Sequence, residues 1–176
     1  MDRLMEYFIK EPEREFHIRE LAKITGLSPT TVSKHLSEFE KKGLLVSKRK
    51  LNHRFFKANT EGRAFKNQKL FYNVQKLEES GLIDFLDDEF NHPESIVLFG
   101  SFRKAENIPA SDIDILIITP AKKELNLEKF ERKLGHKIQL FAHSKAEIEK
   151  MKQKNKELVN NWLNGIVLRG YWEVLL

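Results

Sequence analysis

Apolar positions recur at helical spacing through the first forty residues and again in the middle of the chain, and they form short continuous runs after it. In "RLMEYFIKE", Leu4, Tyr7 and Phe8 fall on one side of a short helix. A second helix is expected over "IRELAKITG", with Ile18, Leu21 and Ile24 on one side and Gly26 at its end. The next segment, "LSPTTVSKHLSEFEKKGLL", has Ser28 as N-cap, Pro29 at the first helical position and Gly43 as its stop. Val32, Leu36 and Phe39 form its buried stripe. "LLVSKRK" and "HRFFKAN" then flank "LN" as the two strands of a hairpin with a cationic tip.

"EGRAFKNQKLFYNVQKLEESG" predicts a long helix over about 61–80, capped by Asn59 or Thr60. Its recurring face carries Ala64, Phe65, Phe71, Val74 and Leu77 or Glu78. A short helix follows in "LIDFLDDEF", and Pro93 marks a boundary. Farther on, "SIVLFG", "SDIDILIITP", "KIQLF" and "IVLRG" read as strands. "LEKFERKLG" reads as a helix between two of them, and "HSKAEIEKMKQKNKELVNNWLNG" as one or two helices. The pattern predicts a small sheet with helices against it and leaves strand order and direction open. The expected organisation is 1–58, a helical linker at 59–92, and 93–176.

Composition narrows the classes. The 176 residues include no cysteine, which excludes disulfide, zinc-thiolate and iron–sulfur chemistry. No apolar run approaches a membrane span, and "MDRLMEYFIKEPERE" lacks the marks of a signal peptide, so a cytoplasmic protein without a membrane partner is expected. The net charge of +5 is unevenly spread. Residues 23–57 carry nine Lys/Arg against two glutamates, whereas residues 78–94 carry seven Asp/Glu and no Lys or Arg. The basic block suits a polyanion.

Two helices joined by a short turn and followed by a basic hairpin point to double-stranded DNA. Thr30, Thr31, Lys34 and His35, with Ser33 and Ser37 nearby, lie mostly off the buried stripe and are positioned for base edges. Lys48, Arg49, Lys50 and Arg54 are the candidates for phosphates. A helical interaction module with a solvated basic hairpin is the plainer alternative. His35 and His53 lack the spacing of a metal site and read as surface residues, while His17 reads as packing or capping. "IRELAKITGLSPTTVSKHLSEFEKKGLLVSKRK" resembles the winged helix-turn-helix domain of bacterial and archaeal transcriptional regulators, over roughly residues 1–58. The resemblance implies an operator-binding module. A homodimer, with the long central helix as a possible pairing element, would present two recognition helices to one symmetric site.

The stretch "LFGSFRKAENIPASDIDILI" carries the second chemistry. Asp112 and Asp114 are two residues apart on a strand, so their carboxylates share a face while Ile113 and Ile115 enter the core. Paired like charges repel unless a cation sits between them, and Mg²⁺ suits oxygen ligands and phosphate bridging. Gly100 permits close approach of a phosphate, the Ser101 hydroxyl and nearby amides can hold it, and Arg103 and Lys104 can neutralise it. The plainer alternative is a capped strand with two solvent-facing acids.

The order Gly100-Ser101 followed by Asp112-Ile-Asp114 resembles the polymerase-beta-like nucleotidyltransferase superfamily, especially its minimal members, over about residues 90–176. The expected fold is therefore α/β (α+β): an N-terminal winged helix-turn-helix, a helical linker, and a C-terminal nucleotidyltransferase fold with a small mixed sheet. The resemblance implies NTP and Mg²⁺ as ligands and transfer of a nucleoside monophosphate to an RNA or protein acceptor. It also implies a third carboxylate on the neighbouring strand, where "HKIQLFAH" has Gln139. A neutral amide cannot accept the acceptor's proton, which favours a degenerate site that binds nucleotide over an active enzyme. Glu131 could compensate only if the fold brings it inward, and Glu147 and Glu149 read as solvated helix residues. Minimal members of the superfamily also resemble antitoxins that modify a cognate toxin, which leaves a protein partner open. Near the end, Trp162, Tyr171 and Trp172 are expected in core or interface packing, and the cationic "KAEIEKMKQKNKE" on a solvated face or beside a nucleotide.

Overall fold

The computed structural model describes residues 2–50 and 52–173, and the chain divides into two compact units, Met1–Tyr72 and Asn73–Leu176. In the first unit, Asp2 caps α1 (Arg3–Lys10) through its side chain. A two-residue strand, β1 (Phe16–His17), leads into α2 (Ile18–Thr25), which His17 caps by accepting from the Glu20 amide. The capping role expected for His17 is thus observed. Gly26 ends the helix at φ 75°, a left-handed conformation in which glycine meets no Cβ clash.

Ser28 caps α3 (Pro29–Lys41), and Val32, Leu36 and Phe39 are buried along it. The hairpin strands are β2 (Leu45–Lys50) and β3 (His53–Ala58); Leu51 of its expected tip lies outside the described residues. The three strands form an antiparallel sheet in the order β1-β3-β2. Strand β1 escaped the sequence pattern because two residues are too few to show alternation.

Helix α4 (Arg63–Ser80) starts later than expected. Asn59 does not cap it; its amide donates to the Gly43 carbonyl at 3.0 Å. Nor is Phe71 on the buried face: it is 62% exposed, while Phe65, Lys69, Tyr72 and Leu77 are buried. Phe65 and Tyr72 join the first unit's core with Leu4, Phe8, Phe16, Leu36 and Phe56. Ile24 also departs from the expected stripe and is 46% exposed, because Leu21 and Ala22 supply the buried contacts of α2.

The second unit continues with α5 (Leu82–Glu89), β4 (Ser95–Phe99), the one-turn α6 (Gly100–Lys104) and β5 (Ile113–Ile118). It then runs through α7 (Glu128–Leu134), β6 (Ile138–His143), α8 (Lys145–Lys154), α9 (Lys156–Leu163) and β7 (Ile166–Gly170). The sheet order is β6-β5-β4-β7, with β5 and β6 parallel and the other pairs antiparallel. A parallel pair needs a crossover, and α7 supplies it.

Strand alternation sorts the core into two layers. Ile113, Ile115 and Ile117 pack with Leu82, Leu86, Phe102 and Phe130. Leu116 and Ile118 face the other way, toward Ile148, Val159 and Trp162. Trp162 is fully buried, and removing a core side chain of that size costs about 3–5 kcal/mol. Trp172 is partly buried against the same cluster, whereas Tyr171 is 72% exposed and lies outside the core, the first of the two places expected of it. Among the described residues no helix is long and apolar enough to cross a membrane.

Candidate functional site

On α3, Thr30 and Lys34 are exposed, and Ser33 and Ser37 are half-buried. Two other residues of this set have local partners. Thr31 shares a 2.8 Å hydrogen bond with the Ser28 hydroxyl, and His35 Nδ1 donates to Asp2 Oδ2 at 2.7 Å. The hairpin cations are similarly engaged. Lys48 and Lys50 both pair with Glu15, Arg54 with Glu40, and Lys57 with Glu13. Hydrogen bonds from Lys48 and Lys50 hold the Glu15 carboxyl below its usual range. Those from Ser47 and Arg54 do the same for Glu40. Arg49 is exposed and has no ion pair among the described residues.

In the second unit, β4 ends at Phe99 and the chain turns at Gly100, φ 69°, directly into α6. Asp114 lies opposite Phe99 in the β4–β5 register, and its carboxylate fills the space beside the turn. A Cβ on Gly100 would lie 2.1 Å from Asp114 Oδ2. The glycine is thus required first by the aspartate, a reason that spacing alone does not reveal. Ser101 is half-buried, Lys104 is exposed, and Arg103 Nε is buried without a hydrogen-bond partner among the described residues.

Asp112 immediately precedes β5 and has the same parity as Asp114. Burial, and then the Asp112 charge, push the Asp114 carboxyl above its usual range. On the adjacent parallel strand Gln139 pairs in register with Asp114. Its Nε2 donates to Asp112 Oδ2 at 2.6 Å. The residue at the expected third-acid position therefore reaches the acidic pair and presents it with an amide.

Glu131 is half-buried, and both its oxygens are engaged away from the aspartate pair. Oε2 accepts from Lys137 at 2.7 Å and Oε1 from the Ile138 amide at 3.1 Å. Glu147 belongs to the capping box of α8 and also binds Lys122, and Glu149 pairs with Lys152. No group of three or more acidic or histidine side chains capable of holding a metal occurs among the described residues. Two oxygen-donor acids on one face suit a single hard cation better than a two-metal set.

Three supporting residues were not foreseen. Buried Asn73 donates to the Phe102 carbonyl and to Asn107 Oδ1, each at 2.9 Å, tying α4 to the segment after the Gly-Ser turn. His136 Nδ1 donates to the Ser111 carbonyl at 2.8 Å, one residue before Asp112. A polar residue inside an amphipathic helix, as at Asn73, was the one available signal.

Two family matches agree with this architecture. The family described as "Winged helix-turn-helix DNA-binding" matches residues 17–46, and that described as "Nucleotidyltransferase domain" matches residues 79–168. No curated protein and no solved structure matches the chain. With a turn, an aspartate pair and a mixed sheet arranged as above, the chain belongs to the nucleotidyltransferase domain family and carries a winged helix-turn-helix DNA-binding domain fused before it.

Proposed function

We propose that the protein is a DNA-binding transcriptional regulator whose nucleotidyltransferase domain holds a nucleoside triphosphate with Mg²⁺ and turns it over poorly or not at all. The observation that carries this reading is the hydrogen bond from Gln139 Nε2 to Asp112 Oδ2. A carboxylate at that position would take part in activating the acceptor hydroxyl; an amide has no basic oxygen for its proton. The remaining parts favour binding. Asp112 and Asp114 would hold one Mg²⁺, which when bound neutralises charge on the triphosphate. Ser101, Arg103 and Lys104 would meet phosphate oxygens, and the orphaned Arg103 Nε is consistent with an anion as its partner.

The test offers α-labelled ATP and Mg²⁺ to the full chain with RNA and protein acceptors. Retention of ATP, lost in Asp112→Asn and Asp114→Asn, is expected without label on any acceptor. Gln139→Asp is expected to gain transfer. Efficient transfer by the unaltered protein would refute the binding-only reading. For the N-terminal domain, the chain is expected to hold one duplex site more tightly than scrambled duplex at fixed salt, and equal binding to both would refute sequence-specific regulation.

A further inference from the structure

Beside the paired aspartates lies a cleft of about 500 Å³, between the segment entering β5 and helix α7. Asp112, Glu128, Glu131, Arg132, His136 and Lys137 contribute to its lining. Three carboxylates outnumber its two cations, Arg132 and Lys137, and Lys137 is engaged by Glu131 at 2.7 Å. The open groups are mostly acceptors, so an occupant should bring hydroxyl or amine hydrogens.

His136 is the acceptor among them that two contacts orient. A backbone carbonyl can only accept, so the 2.8 Å contact to the Ser111 oxygen places a hydrogen on Nδ1. Whenever the ring is neutral, that contact leaves the lone pair on Nε2. The edge-to-face contact with Phe102, centroids 4.8 Å apart, fixes the ring from a second side. No hydrogen bond engages Nε2 among the described residues.

The cleft shares Asp112 with the candidate metal pair. A triphosphate held there would carry its sugar only a few bonds away, and the cleft volume suits a nucleoside-sized group. We propose that this cleft receives the ribose of the nucleotide, with His136 Nε2 accepting a hydrogen bond from a ribose hydroxyl, so that His136 discriminates ribonucleotides from their deoxy counterparts. This inference rests on the nucleotide-binding reading and adds to it the sugar specificity.

Calorimetric titration of the full chain with Mg²⁺ and four probes tests it: ATP, 2′-deoxy-ATP, 3′-deoxy-ATP and inorganic tripolyphosphate. In the unaltered protein at least one deoxy analogue is expected to bind about tenfold more weakly than ATP, the effect of one lost hydrogen bond. His136→Ala is expected to bind ATP about as weakly as that analogue while leaving tripolyphosphate unchanged. His136→Gln, whose amide oxygen reaches nearly as far as Nε2, should restore part of the difference. Equal binding of ATP and both analogues by the unaltered protein overturns the proposal without any variant having to fold. Undiminished discrimination by His136→Ala overturns it as well. If neither ATP nor tripolyphosphate binds, the nucleotide reading itself fails and the proposal goes with it; binding of tripolyphosphate without sugar discrimination removes the proposal alone.

Discussion

In the N-terminal unit Glu13, Glu15 and Glu40 sit against Lys57, Lys48 with Lys50, and Arg54, so most of the hairpin's positive charge already has a partner. In the C-terminal unit Asp112 and Asp114 share one strand face, and the first polar group to reach them is the uncharged amide of Gln139. The first arrangement is internally balanced, and under the proposed function a DNA phosphate would exchange with a glutamate to gain full contact. The second is unbalanced, and an arriving cation relieves repulsion. Exposed ion pairs such as those of the hairpin contribute little to stability, which leaves them available for exchange. Close acids in a partly buried site work against folding until a ligand neutralises them.

The largest expected effect comes from filling the space that Asp114 occupies. Gly100→Ala places a side chain at φ 69° and a Cβ 2.1 Å from Asp114 Oδ2. Backbone strain of that kind costs about 1–3 kcal/mol, and the collision adds to it. Urea unfolding should show the loss, and calorimetry should show Mg–ATP binding abolished. An unchanged unfolding midpoint would mean that the turn and the aspartate are not in close apposition.

A smaller effect should sharpen the contrast from the DNA side. Arg49→Ala is expected to lower the slope of log affinity against log salt by about one, because this cation has no ion-pair partner to exchange among the described residues. Lys48→Ala should lower it less. Glu15→Gln, which frees Lys48 and Lys50, should strengthen duplex binding and steepen the salt dependence. Fluorescence anisotropy across a salt series reads all three, and equal slopes for Arg49→Ala and Lys48→Ala would show that internal pairing has no influence.

The smallest effect concerns pH, where the two units carry opposite signs. Asp114 has a folded pKa above its ordinary 3.8, so its favourable contribution is complete below 3.8 and is lost as pH rises through the folded value. At neutral pH the ionised form of Asp114 is a net cost. Asp114→Asn should therefore raise the melting temperature of the metal-free protein at pH 7, with the gain vanishing in acid. Glu15 and Glu40 have folded pKa values below the ordinary 4.5. Their contribution is present above 4.5 and is lost as pH falls through those lower values. Calorimetric scans of Asp114→Asn and Glu40→Gln across pH should move in opposite directions; parallel behaviour would break the comparison.

Much of the architecture was legible along the chain because its signals are local. Ser28 and Gly43 bracket α3 by capping chemistry that spans one turn, and Val32, Leu36 and Phe39 follow its period. The face of α4 was misjudged because Phe65, Phe71, Val74 and Leu77 are all apolar and several helical stripes fit them. Buried Lys69 and Asn73 then show the true side, against the usual preference of such residues.

The amino-acid order alone determined the order of the elements other than β1 and α6, the Gly100–Ser101 turn, and the common face of Asp112 and Asp114. These follow from backbone geometry that repeats every two or 3.6 residues. Only the tertiary structure decided that Gln139 donates to Asp112, that Glu15 gathers two hairpin lysines, and that His136 anchors on Ser111 beside a cleft. Each of those contacts joins residues more than twenty positions apart. Such partners meet only once strand order and helix packing are set, and side-chain hydrogen bonds require alignment within a few tenths of an ångström that local periodicity does not encode.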